Sequence, residues 1–143
     1  MPITQAVANS FKTQVLTATH NFTATTGNTF KIALFTNSAT LSKSTTVYDS
    51  TDNEVTGTGY TAGGNTLTSV TPALSTDTAC CDFSDSSWTT ATITARAALI
   101  YNSSASDKAV VVLDFGGDKT STAGTFTIQF PAADASNAIL RLA

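Results

Sequence analysis

Two apolar, β-branched runs separated by a short polar stretch constrain this chain more than any other feature. Trp88-Thr-Thr-Ala-Thr-Ile-Thr-Ala-Arg-Ala-Ala-Leu-Ile-Tyr101 is followed by Asn102-Ser-Ser-Ala-Ser-Asp-Lys108, and that by Ala109-Val-Val-Val-Leu-Asp-Phe115. Strand, turn chemistry and strand in succession predict a long hairpin. The unbroken apolar run Val110 to Leu113 predicts a strand covered on both faces, since a half-exposed strand would alternate. This hairpin is the expected centre of an all-β domain, a β-sandwich of the jelly-roll or immunoglobulin-like kind.

The flanking sequence supplies the other strands. Thr29–Phe35 alternates, with Phe30, Ile32 and Leu34 on one side and Lys31, Ala33 and Phe35 on the other. Thr45–Tyr48 is a candidate short strand. Asn65–Val70 carries Leu67 as its core residue and is expected to end at Pro72. Thr78–Phe83 and Ala138–Leu142 read as strands. Gly116-Gly117-Asp118 reads as a tight turn and Lys119–Gly124 as a loop. Thr125–Phe130 then alternates with Phe126, Ile128 and Phe130 inward. The total is about seven to nine strands in one domain spanning residues 1–143. One helix is expected, over about residues 3–19, because Val7, Phe11 and Val15 recur at helical spacing. Asp49–Gly64 keeps no period and reads as a long loop, a class of segment that is usually functional or mobile.

Only 12% of the residues are charged, against about 25% in an average domain. Threonine and serine take the place of the missing charges, and threonine's branched Cβ suits a pleated surface. A hydroxyl-rich surface can be covered by a neighbour with few ions to desolvate. The net charge is −3 and the lysines and arginines are scattered, which argues against nucleic-acid binding through counterion release. No apolar run approaches the roughly 20 residues of a membrane-spanning helix. Met1 to Gln5 shows neither the basic nor the apolar region of a signal peptide. The only cysteines, Cys80 and Cys81, are adjacent. Neighbouring strand residues point to opposite faces, so two reduced thiols are expected.

No constellation announces a reaction, and no catalytic, cofactor-binding or metal-ligating set is assigned. His20 is the sole histidine, without a serine in a strained turn to serve, and reads as a residue closing the helix. Asp49, Asp52 and Glu54 share one loop, and Asp114 and Asp118 flank Gly116-Gly117, as calcium ligands would, but they lack the EF-hand spacing and read as solvated carboxylates. Gly57, Gly59, Gly63 and Gly64 read as turn glycines with positive φ, since no strand–loop–helix pattern surrounds them. Asp82 and Asp85 resemble a glycosidase pair only in spacing, with nothing in the sequence to raise either pKa. Trp88, Tyr48, Tyr60 and Tyr101 fit a core or interface ring better than a sugar-stacking platform.

Several stretches resemble a family of small structural proteins of tailed bacteriophages. They are Ser10-Phe-Lys to His20-Asn-Phe-Thr23, Phe30-Lys-Ile-Ala-Leu-Phe35, Glu54-Val-Thr-Gly-Thr-Gly-Tyr-Thr-Ala-Gly-Gly64, Ala97-Ala-Leu-Ile-Tyr-Asn102 and Asp114-Phe-Gly-Gly-Asp118. The resemblance implies a virion protein made in the bacterial host cytoplasm, and no catalytic residues. The expected role is a capsid decoration or cement protein on the capsid surface. It would bind the major capsid protein and itself, as a trimer first and a dimer second, with no nucleic-acid or membrane partner and no cofactor. The expected contact segments are the helix and the long loop, through Phe11, Val15, Asp49, Asp52, Glu54 and Tyr60. A head–tail or tail component is the first alternative, and a carbohydrate-binding β-sandwich module is the alternative of another class.

Overall fold

The computed structural model describes residues 3–143; Met1 and Pro2, part of the segment read above for signal-peptide features, lie outside the described residues. The fold is all-β and sandwich-like, with eight strands and one short helix among the described residues. In chain order the elements are β1 (Ala6–Val7), α1 (Asn9–Leu16), β2 (Phe30–Phe35), β3 (Asn65–Thr66), β4 (Ser69–Ser75), β5 (Thr78–Phe83), β6 (Ser86–Asn102), β7 (Lys108–Ile128) and β8 (Leu140–Leu142). A five-stranded sheet runs β1-β7-β6-β2-β3 and a three-stranded sheet runs β4-β5-β8, and all strand pairs in both sheets are antiparallel.

The hairpin β6–β7 is the spine. Its strands have 17 and 21 residues, several times the usual roughly 5–6. One half is deeply buried: Ala97–Asn102 pairs with β2 on one side and with Lys108–Asp114 on the other. Ile32, Ala33, Leu34, Leu99, Ile100, Val110 and Val112 are all fully buried there. Phe30 stacks on Phe22 at 4.2 Å, and Phe83 of β5 sits 5.9 Å from Phe30. This aromatic contact joins the small sheet to the large one.

The other half of the hairpin runs on where the sequence predicts a turn and a loop. Ala97 pairs with Asp114 and Ala95 with Lys119, so Phe115–Asp118 bulge out opposite Arg96 alone. Gly116, at φ +80°, takes the left-handed conformation this bulge needs. Asp114 Oδ1 accepts from Arg96 Nε at 3.0 Å and from the Gly116 amide at 2.9 Å. The Gly116 amide first and Arg96 second hold that carboxyl below the usual carboxylate range. The turn residues are therefore spent on a bulge inside a strand. Past Val112 the outer edge of β7 has no strand partner among the described residues. Lys119 and the bulges, including Ala123 at φ +46°, keep that edge irregular.

The helix is shorter than its spacing suggests. Ile3 bridges Leu41, Ala6 and Val7 pair with Val112 and Val111, and the Ala8 amide donates to the Val110 carbonyl at 2.9 Å. These residues cover the edge of the buried valine run, so the helix begins only at Asn9, and Val7 shares no helical face with Phe11. Ala18, at φ +62°, ends it. Two other expectations shift. Thr45–Tyr48 contributes only an isolated bridge from Val47 to Lys108. Pro72 does not end a strand: β4 passes through it with a register shift between Val70 and Ala73, as an edge strand permits. Cys80 and Cys81 are free thiols, and burial with the nearby Asp82 charge pushes Cys81 up to about 12.

Candidate functional site

Asp49–Gly64 is a strap sewn across the open side of β2. The Val55 amide donates to the Leu34 carbonyl at 2.9 Å, the Thr36 amide to Asn53 at 3.0 Å, and the Thr92 amide of β6 to Thr58 at 2.9 Å. The strap thus extends the sheet beyond β3 and covers the edges of both β2 and β6.

Glu54 anchors it. This is the only glutamate in the chain, it is buried, and the hydroxyls of Tyr48 and Tyr60 converge on it. Tyr48 Oη donates to Oε2 at 2.6 Å, while Tyr60 Oη and the Gly63 amide donate to Oε1 at 2.7 Å each. Tyr101, the remaining tyrosine, donates to the Gly63 carbonyl at 2.6 Å and stacks on Tyr48 at 4.5 Å. Tyr60 Oη also accepts from the Leu34 amide at 2.9 Å. Burial first, with the Glu54 charge beside them, raises the pKa of Tyr48 and Tyr60; burial followed by the Asp107 and Glu54 charges raises that of Tyr101.

The contact residues expected from the sequence are therefore divided. Phe11 is buried against His20 and Phe22, and Glu54 is buried in the strap. Neither is available on the surface of a single chain, because the apolar contacts of one and the hydrogen bonds of the other are satisfied inside. Val15 is half-buried against the core. Tyr60 is half-buried with its hydroxyl engaged. Asp49 is exposed, folded into a local turn by Thr51, whose hydroxyl and amide hold its carboxyl below the usual range. Asp52 accepts from the Thr40 amide at 3.0 Å. The carboxylates of Asp49, Asp52 and Glu54 thus point to three separate tasks, and among the described residues no three His, Cys, Asp or Glu side chains are grouped as metal ligands would be.

The distal half of β6–β7 presents what sequence reading passed over. Its inner face holds Trp88, Ala91, Ile93, Ala95 and Phe126, all buried. Its outer face carries exposed Ser87, Thr89, Thr92 and Thr94 on β6, with Thr120, Thr122, Thr125 and Thr127 on β7. Neighbouring hydroxyls pair across the strands, Ser87 with Thr127 at 2.9 Å and Thr94 with Thr120 at 2.9 Å. The only signal available for this face was the alternation of Thr with apolar residues after Trp88. An open groove of about 460 Å³ adjoins it, lined by Phe115, Lys119, Ser121, Phe126 and Ile128 among others, and no carboxylate lines it. Elsewhere Leu74 and Leu142 are 74% and 67% exposed; they lie in one row across the small sheet, on either side of Ala79.

Asp82 departs from the sequence expectation. It is 2% exposed, its Oδ1 accepts from the Phe83 amide at 2.8 Å, and among the described residues its Oδ2 has no partner. Burial raises its pKa, with the Phe83 amide pulling the other way. A carboxyl held above its unfolded value favours the folded state at low pH, and that contribution is lost as pH rises through the folded value. Asp82→Asn removes the buried charge at similar shape. The stability of the variant relative to the parent is expected to rise between about pH 3 and pH 7, as the buried carboxyl of the parent is forced to ionise, read from urea midpoints at both. A difference between the two chains that does not change with pH contradicts this account.

The chain matches no known protein family, no curated protein and no solved structure.

Proposed function

We propose that this protein is a structural component of a tailed-bacteriophage particle, a decoration or cement protein that binds the major capsid shell. The observation that carries the reading, beside the sequence resemblance, is the hydroxyl face of β6–β7. It is long, its side chains are uncharged, and its pairs of hydroxyls are already bonded to one another. Covering such a face strips little bound water from ions and leaves few polar atoms unmatched. Contact here replaces contact through Phe11 and Glu54; exposed Leu16 and Asp49 add to it from the helix end and the strap.

Each contact is weak, and repetition supplies the strength. Copies grouped around a local three-fold axis, or failing that a two-fold, present the same face several times, and linked contacts multiply affinity. A head–tail or tail position uses the same surface chemistry at another place. The carbohydrate-binding reading loses its platform, because Trp88 is buried and Tyr60 spends its hydroxyl on Glu54 and Leu34.

The test compares particles made with and without the gene. Particles lacking the protein are expected to break at lower temperature than complete ones, and a particle reconstruction is expected to place many copies over the shell. Equal heat survival with copies in a ring at one vertex would give the tail reading instead.

A further inference from the structure

His20 is buried, not a charged residue at the end of the helix. Its ring packs on Phe11 at 4.9 Å, and Phe22 and Phe30 lie 6.3 Å away. Both ring nitrogens are bonded: Nε2 to Gln14 Oε1 at 2.9 Å and Nδ1 to Asn102 Nδ2 at 3.0 Å. Which nitrogen carries the proton follows from the backbone. The Asn21 amide donates to Asn28 Oδ1 at 2.8 Å, which fixes that oxygen as an acceptor. Asn102 Nδ2 donates to the same oxygen at 3.0 Å. The Ser104 amide donates to Asn102 Oδ1 at 3.0 Å, so the Asn102 amide cannot be turned round. Asn102 Nδ2 therefore gives its second proton to His20 Nδ1, which must be bare. Nε2 then carries the ring proton and gives it to Gln14 on α1.

We propose that His20 is a proton-sensitive latch joining α1 to the end of the β6–β7 spine. Protonating Nδ1 sets an N–H against the N–H of Asn102, two donors face to face. Rotating Asn102 to relieve this would abandon both the Ser104 and the Asn28 bonds. The charge that bears on the ring is Lys108 at the start of β7, which also opposes a second cation. The other elements around the ring present uncharged groups: Gln14 and Phe11 from α1, Phe22 and Asn28 from the turn, Phe30 from β2 and Asn102 from β6. Lys12 of α1 is exposed and bonded to Asn9. Burial, with Lys108 second, lowers the pKa of this ring. A lowered histidine contributes stability that is full above the unfolded value and is lost as pH falls toward the folded one. Acid therefore opens the latch, and α1 is the element released, because an eight-residue helix holds only through its contacts.

The test uses the whole wild-type chain in solution and does not depend on the capsid reading. Nitrogen NMR of the ring is expected to show the Nε2–H tautomer at neutral pH and titration below the ~6.5 of free histidine. Amide exchange, corrected for intrinsic rates, is expected to show protection over Asn9–Leu16 falling at least roughly ten-fold between about pH 7.5 and pH 5, while β2 holds. His20→Gln is expected to remove that pH dependence. An Nδ1–H tautomer, titration at or above the free value, or unchanged α1 protection in the wild-type chain would each overturn the latch, whether or not the variant folds.

Discussion

Glu54→Ala is expected to lower the unfolding free energy by about 3–5 kcal/mol. The substitution strands the hydroxyls of Tyr48 and Tyr60 and the Gly63 amide in one buried place. Each unmatched donor costs about 1–3 kcal/mol, and the lost bonds were made to a carboxylate, the stronger kind. Glu54→Gln keeps one acceptor oxygen and the side-chain volume, so its loss is expected to be smaller, about 1–2 kcal/mol. Equilibrium denaturation of the two variants beside the parent measures both. The account fails if alanine costs under about 1 kcal/mol, or if glutamine costs as much as alanine. Loss of the strap also uncovers the edges of β2 and β6, so the alanine variant is expected to associate on partial unfolding.

The second large effect is at Gly64. Its φ is +74°, and a Cβ there would collide with the carbonyl oxygen and carbon of Ile32, in the middle of the most buried strand. Neither atom belongs to a side chain that can swing away. Gly64→Ala is expected to cost roughly 3 kcal/mol or more, read as a fall in the denaturation midpoint. Gly116 supplies the control. Its φ is +80°, but none of the described residues comes within 4 Å of the added Cβ, so Gly116→Ala carries only the conformational cost of about 1–2 kcal/mol. Equal losses at the two sites would show that the approach to Ile32 is not the cause.

The parts of this fold that could be read from the sequence are those where burial alone chooses the residues. Ile32–Phe35, Ala97–Tyr101 and Ala109–Val112 are apolar on both faces and became the central strands. Leu67 and Phe126 are buried as their alternation implied, and the four strap glycines all have positive φ. The misreadings occur where one residue type serves two geometries. Gly116-Gly117-Asp118 has the chemistry of a turn, and a bulge needs the same chemistry. Val7 falls at helical spacing from Phe11, yet a β-branched residue beside an unpaired valine edge gains more as a strand. Glu54 reads as a solvated acid in the sequence because it sits in the most polar stretch of the chain. The available clue was its position midway between Tyr48 and Tyr60, six residues from each. Nor could composition show that hydroxyls would gather on one face of the ribbon, since that depends on where the bulges fall.

The tyrosine cluster gives the folded protein an unusual optical property. Each phenol is bonded inside the strap, and each is held above its ordinary ionisation. In alkali above the ordinary tyrosine value of about 10 the folded chain is therefore expected to absorb less as phenolate than the unfolded chain does. A spectrophotometric titration of the two would record whether the sheet is closed over its tyrosines.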